Sequence, residues 1–257
     1  MLYSKYFSMH LKSQMQHKAS FFMLAFGQFL ASFTTLLGVW FMFTRFNKVE
    51  GFTLEQTLIC FAVVLMSFAL AECFGRGFDS FPRMISNGEF DRALARPRSI
   101  VFQVLASQVD FSRLGRLAQA VLVFVYAIPA CGVVWTGDKI LTLALMVLCG
   151  SVVFFCLFLL YAAFSFFTIE GLEFMSVFTH GGNEFGRYPF AVYGEHVLRV
   201  LTYVVPLALF QYYPLLYLLG RETGALYMLA PLFGLLFAIP AYAFWRFGLR
   251  RYKSTGS

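Results

Sequence analysis

Charge is what this 257-residue chain has least of: 13% of its residues are Asp, Glu, Lys or Arg, against about 25% in an ordinary soluble domain. With 60% of residues hydrophobic, the shortage excludes a soluble fold of this length, which must turn many side chains to water. Other absences narrow the field. No C-x-x-C pair occurs among Cys60, Cys73, Cys131, Cys149 and Cys156, which fall inside or at the edges of apolar runs. Disulfide frameworks and zinc sites are therefore not indicated, and the thiols read as small core residues. No G-x-x-x-x-G-K-[ST] segment is present, so nothing here is built to cradle nucleotide phosphates. A His-x-x-x-His pair, a nucleophile elbow and a convergent catalytic set are also missing, which leaves an enzyme reading little support. No internal repeat, low-complexity tract or domain boundary is visible. No cleavable leader is expected, because the first eighteen residues are polar and basic and the run after them is long enough to span.

Long apolar runs are what the chain has instead. A membrane-crossing helix needs about 20 apolar residues. Six runs approach or exceed that length, at about 19–44, 57–74, 117–135, 140–168, 197–219 and 225–247. They predict an all-α integral membrane protein, one domain over residues 1–257, with six transmembrane helices and both termini on the same face. Loop charge decides which face. With the termini in the cytoplasm, all but four of the 20 Lys and Arg residues fall in internal segments; Arg45, Lys48, Lys139 and Arg221 lie outside. That asymmetry follows the positive-inside rule, so the expected placement is the plasma (inner) membrane, N-in and C-in. It also accounts for the net charge of +7 without nucleic acid, since the basic residues lack the aromatic interleaving of a strand-binding surface.

The external connections are short and the two internal ones long, at 75–116 and 170–196, which puts the non-membrane work on the cytoplasmic face. In FPRMISNGEFDRALARPRS (81–99), Asp79 or Ser80 offers an N-cap and Pro82 fits a first helical turn. Phe81, Met84 and Ile85 share a face at i, i+3, i+4 spacing, and Asn87-Gly88 supplies a left-handed terminator. A second short helix carries Phe90 and Leu94 on one side and stops at Arg96, before Pro97. Ser99 can cap a further amphipathic helix, from Ile100 to about Val109. Two readings of this knuckle stand. It is either an interfacial element with its arginines on lipid phosphates, or a docking element that inserts apolar side chains into a partner's groove. Mixed charge, with Asp79, Glu89, Asp91 and Asp110 among the arginines, favours docking. In the second loop Leu172, Phe174, Met175 and Phe178 cluster, and Gly181-Gly182 is expected to stop that helix. Glu170, Glu173, Glu184 and Glu195 are candidates to pair with first-loop arginines, and Glu72 is expected beside Arg76 at the inner interface. The lone His180 reads as solvated or structurally bonded rather than metal-bound.

Three segments then carry a resemblance. MISNGEFDRALARPRS resembles the I-x-x-G-x-(aliphatic or aromatic)-D-x-x-L-x-x-P segment between spans two and three of ABC-2-type exporter permeases, on Ile85, Gly88, Phe90, Asp91, Leu94 and Pro97. RYPFAVYG and VVPLALFQYYPLLYLLG are similar to the YP-x-x-x-Y and (I/V)P-x-A-x-x-x-Y-x-P patterns of a small-permease branch, on Tyr188, Pro189, Tyr193, Pro206, Ala208, Tyr212 and Pro214. The resemblance implies a six-span ABC-2 exporter fold whose amphipathic coupling helix lies between spans two and three. It implies a separate ABC ATPase in two copies, carrying ATP and Mg, so that this chain binds no cofactor of its own. It further implies a second permease, identical or paralogous. The implied ATPase-docking residues are Phe81, Met84, Ile85, Phe90, Asp91, Leu94, Arg96 and Pro97. On that reading, removing Phe90 or reversing the charge of Asp91 uncouples hydrolysis from export and leaves the permease inserted. One departure is the very short external stretch near Arg221-Glu222, where larger members of the superfamily carry re-entrant helices.

The substrate path is open between two readings. Gln28, Tyr203, Gln211, Tyr212 and Tyr213 place polar groups at membrane depth, where they either face a pathway or bond neighbouring helices. The 34 phenylalanines suit a hydrophobic or amphipathic cargo and suit membrane-lipid contact equally. Alternatives from other classes are an ion-coupled secondary transporter, which calls for mid-span charges and an inverted repeat, and a polytopic membrane enzyme, which calls for clustered His, Asp or Glu.

Overall fold

The computed structural model describes residues 2–168 and 172–253. In chain order the helices are α1 (Leu2–Met15), α2 (Lys18–Arg45), α3 (Leu54–Asp79), α4 (Phe81–Ser86), α5 (Glu89–Leu94), α6 (Ile100–Ser107) and α7 (Leu114–Ala130). They continue as α8 (Gly137–Phe164), α9 (Leu172–Phe185), α10 (Glu195–Tyr203), α11 (Leu207–Leu218), α12 (Ala225–Gly234) and α13 (Ala238–Arg251). Five helical rods, at Lys18–Arg45, Leu54–Ser86, Phe111–Ala130, Gly137–Phe164 and Ala225–Arg251, are long and apolar enough to cross a membrane.

The rod containing α3 is the axis of the molecule. Its sequence is apolar all round, the pattern of a helix enclosed by others, and 83% of its apolar stretch is buried, against 11% for α2. It starts from a capping box in which Thr53 Oγ1 accepts from Gln56 N–H and Gln56 Oε1 accepts from Thr53 N–H. It packs on α8 and α7, while α12 and α13 pack against α8 and α11 touches both α8 and α3. α2 leans mainly on α7 and leaves Phe22, Met23, Phe26 and Phe41 exposed.

The expected fifth span is not one rod. α10 and α11 meet at 113°, at the first of the two prolines there. Pro206 has no N–H to continue the ladder; Val204 N–H and Val205 N–H both turn back to Val200 O, and Leu207 N–H bonds Val205 O. Pro214, by contrast, sits within α11 without breaking it. α11 has 12 residues and rises about 18 Å, short of the roughly 30 Å hydrocarbon core, so a crossing here needs both legs.

Two further expectations are corrected. α9 runs straight through Gly181-Gly182 to Phe185. A Cβ at Gly182 would meet Leu207 at 3.1 Å and Phe154 at 3.6 Å, so this glycine lies in a tightly packed helix contact and does not terminate the helix. The third rod ends at Ala130, earlier than 135, and the chain turns through Gly132 at φ +70°.

The N-terminal segment, read only as polar and basic, is the helix α1. It lies against the connection after α6: His10 Nε2 is 3.0 Å from Ala106 O, Gln14 Nε2 donates to Val109 O at 2.6 Å, and Phe7 packs on Phe74 and Phe111.

Candidate functional site

The knuckle folds as its local signals dictate. Pro82 occupies the first turn of α4, Gly88 takes the left-handed conformation (φ +66°) between α4 and α5, and α5 ends at Leu94, ahead of Arg96-Pro97. Ser80 and Ser99 make no side-chain cap bond; Ser80 Oγ donates back to Arg76 O at 3.0 Å.

The apolar side chains point the other way from the docking expectation. Phe81 and Phe90 are fully buried and Ile85 nearly so, all within this chain. Phe81 contacts Phe90 at 4.9 Å, Trp245 at 5.0 Å and Phe166 at 5.2 Å between ring centroids, and Phe90 contacts Tyr252 at 5.0 Å. The C-terminal helix and the end of α8 thus supply the groove that a partner was expected to supply. Insertion of Phe81, Ile85 and Phe90 into another polypeptide does not describe this structure. Leu94, one turn on from Phe90 in α5, is exposed, and Ala93 is buried instead. Asp91 is half-buried and accepts from Tyr252 O–H at 3.1 Å. Burial first, and then the Asp91 carboxylate, hold the Tyr252 phenol above its ordinary pKa. What the knuckle presents outward is a shallow hollow of about 210 Å³ lined by Met84, Glu89, Arg92, Ala93 and Arg96, beside exposed Pro97.

Next to the knuckle lies a charge cluster. Glu72 is buried, with Oε1 at 3.1 Å from Arg113 Nη2 and 3.6 Å from Arg76 Nη1, and Oε2 at 2.8 Å from Arg116 Nη1. Arg76 also pairs with Asp79, which lies 3.7 Å from His180 Nε2, and Arg113 Nε donates to Asp110 Oδ2 at 3.1 Å. The Glu72–Arg76 pair stands as expected; Arg113 and Arg116 join it only because α7 packs on α3. Among the described residues no ion pair joins Glu173, Glu184 or Glu195 to a first-loop arginine, against expectation, although the Glu184 charge is felt at Arg116. Glu184 pairs with Arg187 and Glu195 with Arg199, each in its own segment, and Glu170 lies outside the described residues. Burial lowers the pKa of Arg187, and the Glu184 carboxylate opposes that shift. His180 stacks edge-on to Phe68 at 5.5 Å, and the described residues contain no group of three or more His, Cys, Asp or Glu able to hold a metal.

The five path residues divide. Gln211 is fully buried and its Nε2 donates to Gly186 O at 3.2 Å and Tyr188 O at 2.8 Å; it ties the connection between α9 and α10 to α11, a helix-bonding role. Tyr213 O–H meets Thr202 Oγ1 at 3.1 Å, and Tyr203 and Tyr213 line one cleft of about 290 Å³ between α10, α11 and α12. Tyr212 packs on Phe52 and Tyr213. Gln28, on α2, has a buried Oε1 with no hydrogen-bond partner among the described residues. Sequence reasoning passed over Gln119, which is 1% exposed with neither amide atom partnered among the described residues. It lines an apolar groove of about 390 Å³ with Phe29, Phe33 and Trp40. A lone glutamine in an apolar run was the available signal.

Several apolar rods around a buried axial helix, joined by charged connections, define a multi-pass membrane protein. The family model for ABC-2 family transporter proteins matches residues 29–256, and the chain belongs to that family. No curated protein and no solved structure matches it.

Proposed function

We propose that this chain is the permease subunit of an ATP-driven exporter, worked by a separate ABC ATPase in two copies and paired with a second permease. It sits N-in and C-in in the plasma membrane and moves a hydrophobic or amphipathic substrate. ATP and Mg belong to the ATPase. The observation that carries the reading is the division of the knuckle: apolar side chains locked into the body of the protein, charged ones left outside. A docking element must be rigidly joined to the helices it drives and still offer a polar, register-setting face. Phe81 and Phe90 supply the joint, and Glu89, Arg92, Arg96 and Pro97 supply the face. The docking contact is thus polar around Met84, a revision of the groove-filling mode.

The test is affinity purification of the full chain from its native membranes, with a cysteine placed at Arg92 for crosslinking. A Walker-motif ATPase in stoichiometric amount, crosslinked through position 92, is the expected result. Purification without any ATPase, together with transport that follows an ion gradient, overturns the reading in favour of a secondary transporter.

A further inference from the structure

The charge cluster beside the knuckle is also the wall of a recess. A polar cleft of about 490 Å³ is lined by Arg76, Arg83, Arg113 and Arg116 together with Glu72 and Asp79. A purely structural ion-pair knot matches its charges. Here four guanidinium groups face two carboxylates, and His180, also at the rim, adds no negative charge. Asp110, outside the lining, offsets part of Arg113, yet positive charge remains in excess. Both oxygens of Glu72 are engaged by Arg76, Arg113 and Arg116, and Asp79 is engaged by Arg76 and His180. Arg83 has no ion pair among the described residues, and Arg76 Nε is buried with no hydrogen-bond partner.

Guanidinium groups carry five donors each and no acceptor; both carboxylates of the cleft are already engaged, and its other polar side chains, Ser80, Tyr161 and His180, bring no negative charge. The anion that fits converging guanidinium forks is a tetrahedral one with several oxygens. Position agrees with this chemistry. The cleft lies where α3 runs out into the knuckle and α7 begins, and basic pockets between membrane helices at such a level take anionic head groups. We infer that this cleft binds a phosphate monoester or diester, drawn from an anionic lipid or from a free phosphate-bearing solute. Arg83 is its uncommitted guanidinium, and Arg76, though paired with Glu72 and Asp79, adds an unpartnered Nε–H. The inference stands apart from the ATPase assignment and requires no hydrolysis.

The test uses the purified full chain in two arms. In one, lipid retained by the protein is weighed by native mass spectrometry after reconstitution in nanodiscs of phosphatidylcholine with phosphatidic acid. In the other, inorganic phosphate is titrated calorimetrically into the chain in pure phosphatidylcholine nanodiscs. Binding in the lipid arm alone identifies a membrane head group; binding in both identifies a soluble phosphate as well, and either supports the site. The Arg83→Gln variant is expected to bind about tenfold more weakly, which is about 1.4 kcal/mol, at an unchanged melting temperature. Arg83 is the residue to change because removing Arg76 or Arg116 also strips Glu72 of a partner. No binding in either arm, or equal binding by Arg83→Gln and the unsubstituted chain, overturns the proposal.

Discussion

Glu72 is 1% exposed and lies within 3.6 Å of three guanidinium groups, so its charge holds together the C-terminal part of α3 and the start of α7. Removing one member of a buried ion cluster leaves the others uncompensated and costs about 3–5 kcal/mol. Glu72→Gln is therefore expected to lower the thermal midpoint of the purified chain sharply; an unchanged midpoint refutes the clamp. Half of this cluster was legible in the sequence. Arg76 follows Glu72 by one helical turn, a spacing that needs no tertiary structure. Arg113 and Arg116 come some forty residues later, and only the packing of one helix on another brings them in. Tyr193 gives a pH-dependent counterpart in the connection between α9 and α10. Its O–H donates to Phe185 O at 2.9 Å, and burial pushes its pKa up from 10.0 to about 12. Its proton is held more tightly folded than unfolded, so the phenol's stabilising contribution is whole below pH 10 and is lost as pH rises towards 12. Tyr193→Phe is expected to flatten that part of the alkaline stability profile, read by thermal unfolding across the range.

At the scale of elements, the knuckle shows which signals are local. Pro82, Gly88 and Pro97 set its two short helices from the sequence alone, because each acts on its own backbone. Which way the helices face depends on Phe166, Trp245 and Tyr252, far along the chain, and no periodicity within nineteen residues encodes that. The consequence is a changed expectation for Phe90. Truncating a fully buried phenylalanine costs about 3–5 kcal/mol, so Phe90→Ala should first appear as a drop in melting temperature and not as clean uncoupling. Full stability in that variant would contradict the packing described. Gly77 makes a second link between α3 and the knuckle region, since a Cβ there would come within 1.9 Å of Val104 O in α6. Backbone cannot yield as a side-chain tip does, so Gly77→Ala must displace α6, at a cost of roughly 1–3 kcal/mol. Faster proteolysis after Arg96 or Arg98 is the expected sign, and an unaltered digestion pattern is the contrary one.

Across the whole molecule, composition revealed the membrane class and the approximate places of the rods, because burying an apolar run in lipid depends on length and hydropathy alone. It did not reveal that α10 and α11 meet at 113°: a proline marks where a helix can break, and the angle is set by what both legs pack against. Nor did it reveal the route by which force would cross the chain. Phe81 and Phe90 both touch Phe166, just past the end of α8, Phe81 also touches Trp245 in α13, and Phe78 in α3 contacts Trp245 at 5.4 Å. Three rods therefore share one aromatic joint with the knuckle, and a push on its outer face reaches all of them without passing through a flexible linker. Such a joint separates two kinds of damage. Reversing both Arg92 and Arg96 to glutamate alters only exposed side chains, where substitutions shift stability by about 0.5 kcal/mol or less. The double variant should insert and melt like the unsubstituted chain, yet lose its ATPase in co-purification and its export in vesicles. Because Phe90→Ala is expected to do the reverse, weakening the body before the contact, measuring midpoint and ATPase retention on both variants distinguishes face from joint. If the charge-reversed chain retained full ATPase and full export, the outward face of the knuckle would not be where the motor grips.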